Sequence, residues 1–188
     1  MSTLKVDTIL KRTGTGTITV GQSGDTISVP TGATLSVAGS SVTAVDNTPS
    51  FRVRSTAGQS ISNTTWTKVE WNTEDKDTDS AFSSNRFTVP SGEGGLYFFQ
   101  WSIENNGKVA SNAYYDVALY KNGSNDTTIR SRQNPTTTGT YDVYNNGGGG
   151  IVLAAGDYIE LFYYQNTGGS VTLEGNYRSW TGYKLIGA

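Results

Sequence analysis

The chain has 188 residues, enough for one packed domain and a smaller appendage. Its 14 basic and 16 acidic residues nearly cancel, and no Lys/Arg run offers the clustered cations that phosphate neutralisation needs, which argues against nucleic acid as a partner. With neither Cys nor His, it has no disulfides, no thiolate or imidazole metal ligands, and no Ser–His or Cys–His nucleophile.

Aromatic and β-branched residues favour pleated, half-buried surfaces, while Gly, Asn and Ser populate tight turns. The chain is rich in both sets, with 11 Tyr and 23 Gly, and no stretch of ten residues sustains a helical apolar period. The sequence therefore predicts an all-β protein. Residues 1–16 form an opening segment in which Met1–Arg12 lacks the apolar core of a signal peptide, and no span is long enough to cross a membrane. Neither ordinary secretion nor membrane insertion is expected.

Residues 17–45 hold a short repeat, TITV, TISV, TLSV and SVTA, with starts nine, eight and seven residues apart. Strand alternation puts Ile18 with Val20, Ile27 with Val29, and Leu35 with Val37 on one face, and Thr or Ser on the other. A four-residue strand burying two aliphatic side chains is not stable alone. Three chains wound about an axis would bury these inner faces together, so a trimeric β stem is expected, with those six residues at its interface. The turn-rich Gly21–Gln22–Ser23–Gly24–Asp25 separates the first two segments. Residues 46–50 read as a linker.

The remainder, 51–188, has the size of one head domain. Its strands are predicted at 51–54, 65–71, 81–88, 96–104, 114–121, 128–133, 141–153, 157–164, 170–175 and 177–186. Connections are rich in Gly, Asn and Asp, notably Asn145–Asn146 with the four glycines after them. Ten strands with such turns predict a two-sheet jelly-roll sandwich. Two strands are apolar on both faces. Tyr97, Phe99, Trp101 and Ile103 share one side, with Leu96 and Phe98 on the other; Ile159, Leu161 and Tyr163 oppose Tyr158, Phe162 and Tyr164, which flank Glu160. A second apolar face needs a cover, and self-association is the economical one. Leu96, Phe98, Tyr158, Phe162 and Tyr164 are therefore the candidate trimer contacts of the head.

Gly95–Leu96–Tyr97–Phe98–Phe99–Gln100–Trp101 resembles the Gly-x-Tyr-x-Phe-x-aromatic strand of the trimeric jelly rolls of the complement globular-head and tumour-necrosis-factor superfamily. Phe87–Thr88–Val89–Pro90 precedes it as an aromatic-led strand does there, and Trp66 followed by Asn72 resembles that family's first core strand and loop. Leu153–Ala154–Ala155–Gly156–Asp157–Tyr158–Ile159 and Trp180–Thr181–Gly182–Tyr183 resemble two later strands, in the expected order. The resemblance covers about 65–188 and departs in the longer Phe87–Gly95 interval and the missing aromatic near Asp75–Asp79. It implies a homotrimer, with the Gly95-led, the Gly156–Asp157-led and the terminal strands all in the sheet that faces the threefold axis.

Met1–Ser2–Thr3–Leu4–Lys5–Val6–Asp7–Thr8–Ile9 resembles the start of fibre-type structural proteins of marine tailed bacteriophages, which also join a Thr/Gly stem to a jelly roll. That resemblance implies a virion component assembled in the host cytoplasm. Other virion proteins would be met through the N-terminus, and a host-surface glycan is a further candidate partner of the head. An extracellular carbohydrate-binding module is the alternative.

The chain offers little chemistry. Asp75, Asp77 and Asp79 alternate and could offer oxygens to calcium, but Ser80 and Arg86 stand where a calcium loop needs Gly and a final carboxylate. A solvated acidic turn is the expected reading, with no cofactor. Glycosidase chemistry needs two carboxylates across a cleft. Glu160 has no acidic neighbour on its strand, and Glu104, Asp116 and Glu174 lie on separate elements, so a non-enzymatic protein is expected.

Overall fold

The computed structural model describes residues 20–22, 25, 26, 28, 31, 47–106 and 109–185. The chain divides into two compact units, Met1–Thr43 and Ala44–Ala188. In the first, the expected turn after Val20 is present. Asp25 Oδ2 accepts the Gln22 N–H at 2.7 Å, the Asp25 N–H returns to the Gln22 carbonyl at 3.0 Å, and Gly21 takes the left-handed φ of 83° that this turn requires. Val20 is 60% exposed in the single chain. Ile18, Ile27, Val29, Leu35 and Val37 lie outside the described residues.

The second unit is all β. Its strands are β1 (Ser50–Arg54), β2 (Gln59–Ile61), β3 (Thr67–Lys68), β4 (Thr73–Asp77), β5 (Phe82–Ser83), β6 (Arg86–Thr88) and β7 (Gly95–Asn106). There follow β8 (Tyr115–Lys121), β9 (Ser124–Gln133), β10 (Val143–Leu153), β11 (Tyr158–Gln165), β12 (Val171–Leu173) and β13 (Ser179–Lys184). They form two antiparallel sheets packed as a jelly-roll sandwich, the fold the sequence predicts. The first has the order β2-β12-β7-β13-β1-β4, with β10 along the other side of β7; the second has the order β5-β6-β11-β8-β9, with β3 also on β11.

Several details differ from the sequence reading. Ser50, placed in the linker, already belongs to β1, and the 81–88 stretch is a hairpin of two short strands. β2 and β4 were not expected. The strand expected at 141–153 is present as β10, and the glycine run also read as a connection lies inside it: Gly147 to Gly150 sit mid-strand, in a pairing with β7 that runs from Val143↔Asn105 to Leu153↔Gly95 without a bulge.

Alternation supplies the core. Tyr97, Phe99, Trp101 and Ile103 of β7 and Ile159, Leu161 and Tyr163 of β11 face each other between the sheets, each at most 1% exposed. Phe51 stacks on Phe82 and Phe87 at 4.9 and 5.1 Å and takes the Trp180 ring edge-on at 4.8 Å. Hydrogen bonds offset the burial of several polar side chains in and around this core. The Tyr163 hydroxyl donates to Asn105 Oδ1 at 2.9 Å, and burial drives its pKa up. Buried Arg178 donates through Nη2 to Ser55 Oγ and the Ala57 carbonyl, and burial lowers its pKa to about 10.

Candidate interaction surfaces

Because side chains alternate, each sheet has an outer face as well as a core face. Pairing register fixes what each outer face holds. On the first sheet, Phe98 is opposite Gly150 of β10 and Tyr183 of β13, while Leu96 is opposite Val152. Phe98 and Tyr183 rings meet at 5.9 Å, and Val152 is 70% exposed. This makes an apolar patch at the Gly95 end of β7. Farther along, Arg52, Gln100, Ser102, Asn146, Ser179 and Thr181 line a polar groove of about 460 Å³.

On the second sheet, Phe162 is opposite Ala118 of β8 and Lys68 of β3, and Tyr164 is opposite Asp116, which in turn is opposite Arg132 of β9. Ala118 has too small a side chain to keep neighbours apart, so Phe162 stacks on Tyr120 at 4.0 Å. Trp66 lies 5.3 Å from Tyr164 and 5.9 Å from Tyr120.

The charges on this face are built in. Asp116 is 0% exposed and accepts Nε of Arg132 at 2.7 Å, Nη2 of Arg132 at 2.9 Å, and Nη2 of Arg130. Donating to the Asp116 carboxylate raises the Arg132 pKa above its ordinary value. Glu160, 5% exposed, takes Lys68 Nζ at 2.9 Å and Arg86 through Nε and Nη2 at 3.1 and 2.9 Å. Burial pushes the Glu160 carboxyl up, but the Lys68 and Arg86 bonds outweigh it and hold it below its usual range. Each guanidinium also lies on a ring: Arg86 at 3.8 Å over Tyr158, Arg132 at 4.2 Å over Tyr114, and Arg130 at 5.3 Å over Trp66.

The five candidate head contacts therefore do not share a surface. Leu96 and Phe98 are on the outer face of the first sheet; Tyr158, Phe162 and Tyr164 are on the outer face of the second. The expectation that the Gly156–Asp157-led strand joins the Gly95-led and terminal strands in one sheet is corrected. β7 and β13 are neighbours, but β11 pairs with β8, β6 and β3. Trp66, read as belonging to a core strand, is on an outer face, and Val69 and Trp71 are buried in its place.

The acidic loop is committed elsewhere. Asp75 takes Arg54 Nε at 2.9 Å and Arg52 Nε at 3.4 Å, and Asp77 accepts the Ala81 and Phe82 N–H groups at 2.9 and 3.1 Å. Asp79 is at the turn with φ of 65°. Among the described residues no three metal-ligating side chains converge.

Two features go beyond the sequence reading. Glu104, on the outer side of β7 yet 3% exposed, is raised in pKa by burial and by the nearby Asp142 carboxyl. The pair Arg130 and Arg132 reads from the sequence as one solvated strand face, and the structure makes it part of a cationic frame over buried carboxylates. The frame's signal was there: Arg130 and Arg132 stand two residues apart on a strand, with an acidic Asp116 inside the neighbouring strand's apolar run.

No family model matches the chain, and no curated protein does. Solved structures do. The globular domain of zebrafish complement 1qA aligns with TM-score 0.51 at 14% identity, over 73% of this chain and 98% of its own. Murine APRIL at pH 5.0 aligns with TM-score 0.52 at 15% identity, over 72% and 98%. Eiger TNF from S. frugiperda aligns with TM-score 0.51 at 14% identity, over 74% and 93%. The head has the jelly-roll fold of complement globular heads and tumour-necrosis-factor proteins.

Proposed function

We propose that this chain is a non-enzymatic structural component of a phage virion, a fibre, spike or capsid decoration, that works as a homotrimer. The N-terminal repeat would attach it, and the jelly-roll head would be presented for contact with a host surface. The observation that carries the self-association is the apolar patch of Leu96, Phe98, Val152 and Tyr183 on the outer face of the first sheet. Contiguous apolar surface left partly open to solvent, with Val152 exposed and Leu96, Phe98 and Tyr183 half-buried, marks protein interfaces. The complement- and TNF-like fold supports the same reading, because the family resemblance implies three copies. The virion assignment is supported by the Met1–Ile9 resemblance and by the stem-like repeat.

Light scattering of the full chain should return about three times the 20.1 kDa chain mass. Phe98→Asp should lower it toward one chain while circular dichroism stays unchanged, since Phe98 points away from the core and desolvating three charges at one contact is unfavourable. A wild-type mass of a single chain would refute the trimer. Mass spectrometry of purified particles should find the chain among the virion proteins, and its absence there would refute the virion role.

A further inference from the structure

We propose that the outer face of the second sheet binds a carboxylated polysaccharide, a chain of uronic-acid-type sugars. This rests on that face alone and not on the virion reading. Lys68, Arg86, Arg130 and Arg132 stand there against only Asp116 and Glu160, a surplus of two positive charges among the described residues on a chain of net charge −2.

The two carboxylates lie under the cations and are nearly closed to solvent. A buried carboxylate is costly, and one guanidinium suffices to pair it; Asp116 holds two. What a second cation adds is outward-facing positive charge. Arg132 spends Nε and Nη2 on Asp116, which leaves Nη1 on a side chain that is 45% exposed. Arg86 likewise spends Nε and Nη2 on Glu160 and is 39% exposed. Planar guanidinium donors fixed in this way suit a carboxylate ligand. Ring stacking and ion pairing have already ordered these side chains, so little rotamer entropy remains to be lost on binding.

The rings supply the other half of the recognition. Trp66, Tyr120 and Tyr164 are half-buried beside the cations, and aromatic surfaces take up the C–H faces of sugar rings while leaving hydroxyls in water. A ligand of alternating apolar ring face and carboxylate fits this mixture. A second copy of the same face does not, because two positive surpluses would meet. A nucleic acid would need many more phosphate contacts than this surplus provides.

The full chain is titrated with polygalacturonate, with its methyl ester and with neutral dextran, at low and high salt, by calorimetry and tryptophan fluorescence. Polygalacturonate should bind and weaken as salt rises, with the neutral ester weaker by about tenfold or more. Arg132→Gln and Trp66→Ala should each weaken binding by about tenfold while oligomeric mass and melting behaviour are kept. If Arg132→Gln does not fold, Trp66→Ala and the ester comparison decide. The proposal is overturned by no binding of polygalacturonate, by equal binding of ester or dextran, or by folded variants that bind as wild type does. A loss of oligomeric mass in Trp66→Ala also overturns it, by making this face a contact between copies.

Discussion

Asp157 shows how much one side chain can hold. Its Oδ1 accepts Asn122 Nδ2–H at 2.7 Å, and its Oδ2 accepts the Ala154 N–H at 2.8 Å and pairs with Lys121 Nζ at 2.9 Å. Asn122 answers by accepting the Tyr158 N–H at 2.9 Å, so the turn before β11 is tied to the β8–β9 hairpin. The Asn122 bond first, then Lys121 and the Ala154 amide, lower the Asp157 pKa to about 2 from an ordinary 3.8. A carboxyl lowered on folding binds fewer protons in the native state. Its stabilisation is therefore complete above pH 4 and disappears as the pH falls toward 2. Asp157→Asn should cost about 1–2 kcal/mol at neutral pH, for hydrogen bonds to an ionised acceptor partly screened by water. Urea denaturation of both proteins at neutral pH and at successive steps down to about pH 2 should show the gap closing through that window. A gap that stays constant would assign the effect to packing.

At the scale of elements, the pairing of β7 with β10 is the most demanding contact in the head. A Cβ on Gly148 would lie 2.4 Å from the Phe99 carbonyl oxygen, and one on Gly147 would lie 2.5 Å from the Trp101 ring. Gly150 is different, since its Cβ would rest 3.5 Å from Leu96 Cδ1, an ordinary contact. Gly148→Ala should thus destabilise by about 1–3 kcal/mol, because backbone cannot move aside as a flexible side chain can. Gly150→Ala should be close to neutral. Thermal unfolding of the two variants checks the contrast, and equal melting temperatures would contradict the register. These glycines explain what the sequence could show. A run of four inside the expected 141–153 strand also reads as a connection, because turn glycines and close-packing glycines look alike; only the ring opposite distinguishes them. Strands with apolar alternation, such as β7, β8 and β11, were legible because core burial writes itself into every second residue. β4, Thr-Glu-Asp-Lys-Asp, has no such alternation; it is an edge strand guarded by charge, and pattern reading passes over it. Sheet membership was illegible for another reason. The two faces of β11 were assigned correctly, but which strands lie beside it is a long-range matter, and the same alternation would serve in either sheet. The cationic frame needed that pairing too, since Asp116, Arg132 and Glu160 come from three strands.

For the whole molecule, the head holds its own core, and the compact unit Ala44–Ala188 contains the thirteen strands found among the described residues. A fragment of residues 44–188 should fold alone, unfold in one calorimetric transition, and keep the oligomeric mass of the full chain, because the Leu96–Phe98 patch lies within it. A folded but monomeric fragment would assign the association to the repeat instead. The placement of β1 has a mechanical meaning. Ser50 opens that strand, and β1 is hydrogen-bonded on both flanks, to β13 along Ser50↔Tyr183 through Arg54↔Ser179 and to β4 along Phe51↔Asp77 through Arg54↔Thr73. Were the head held through its N-terminus as proposed, tension directed along β1 would run parallel to the strand. It would load these bonds in shear, all together, where a hairpin pulled open from its end would yield one bond at a time. With Phe51 and Val53 anchored in the core beneath, β1 would then serve as a tether able to bear load.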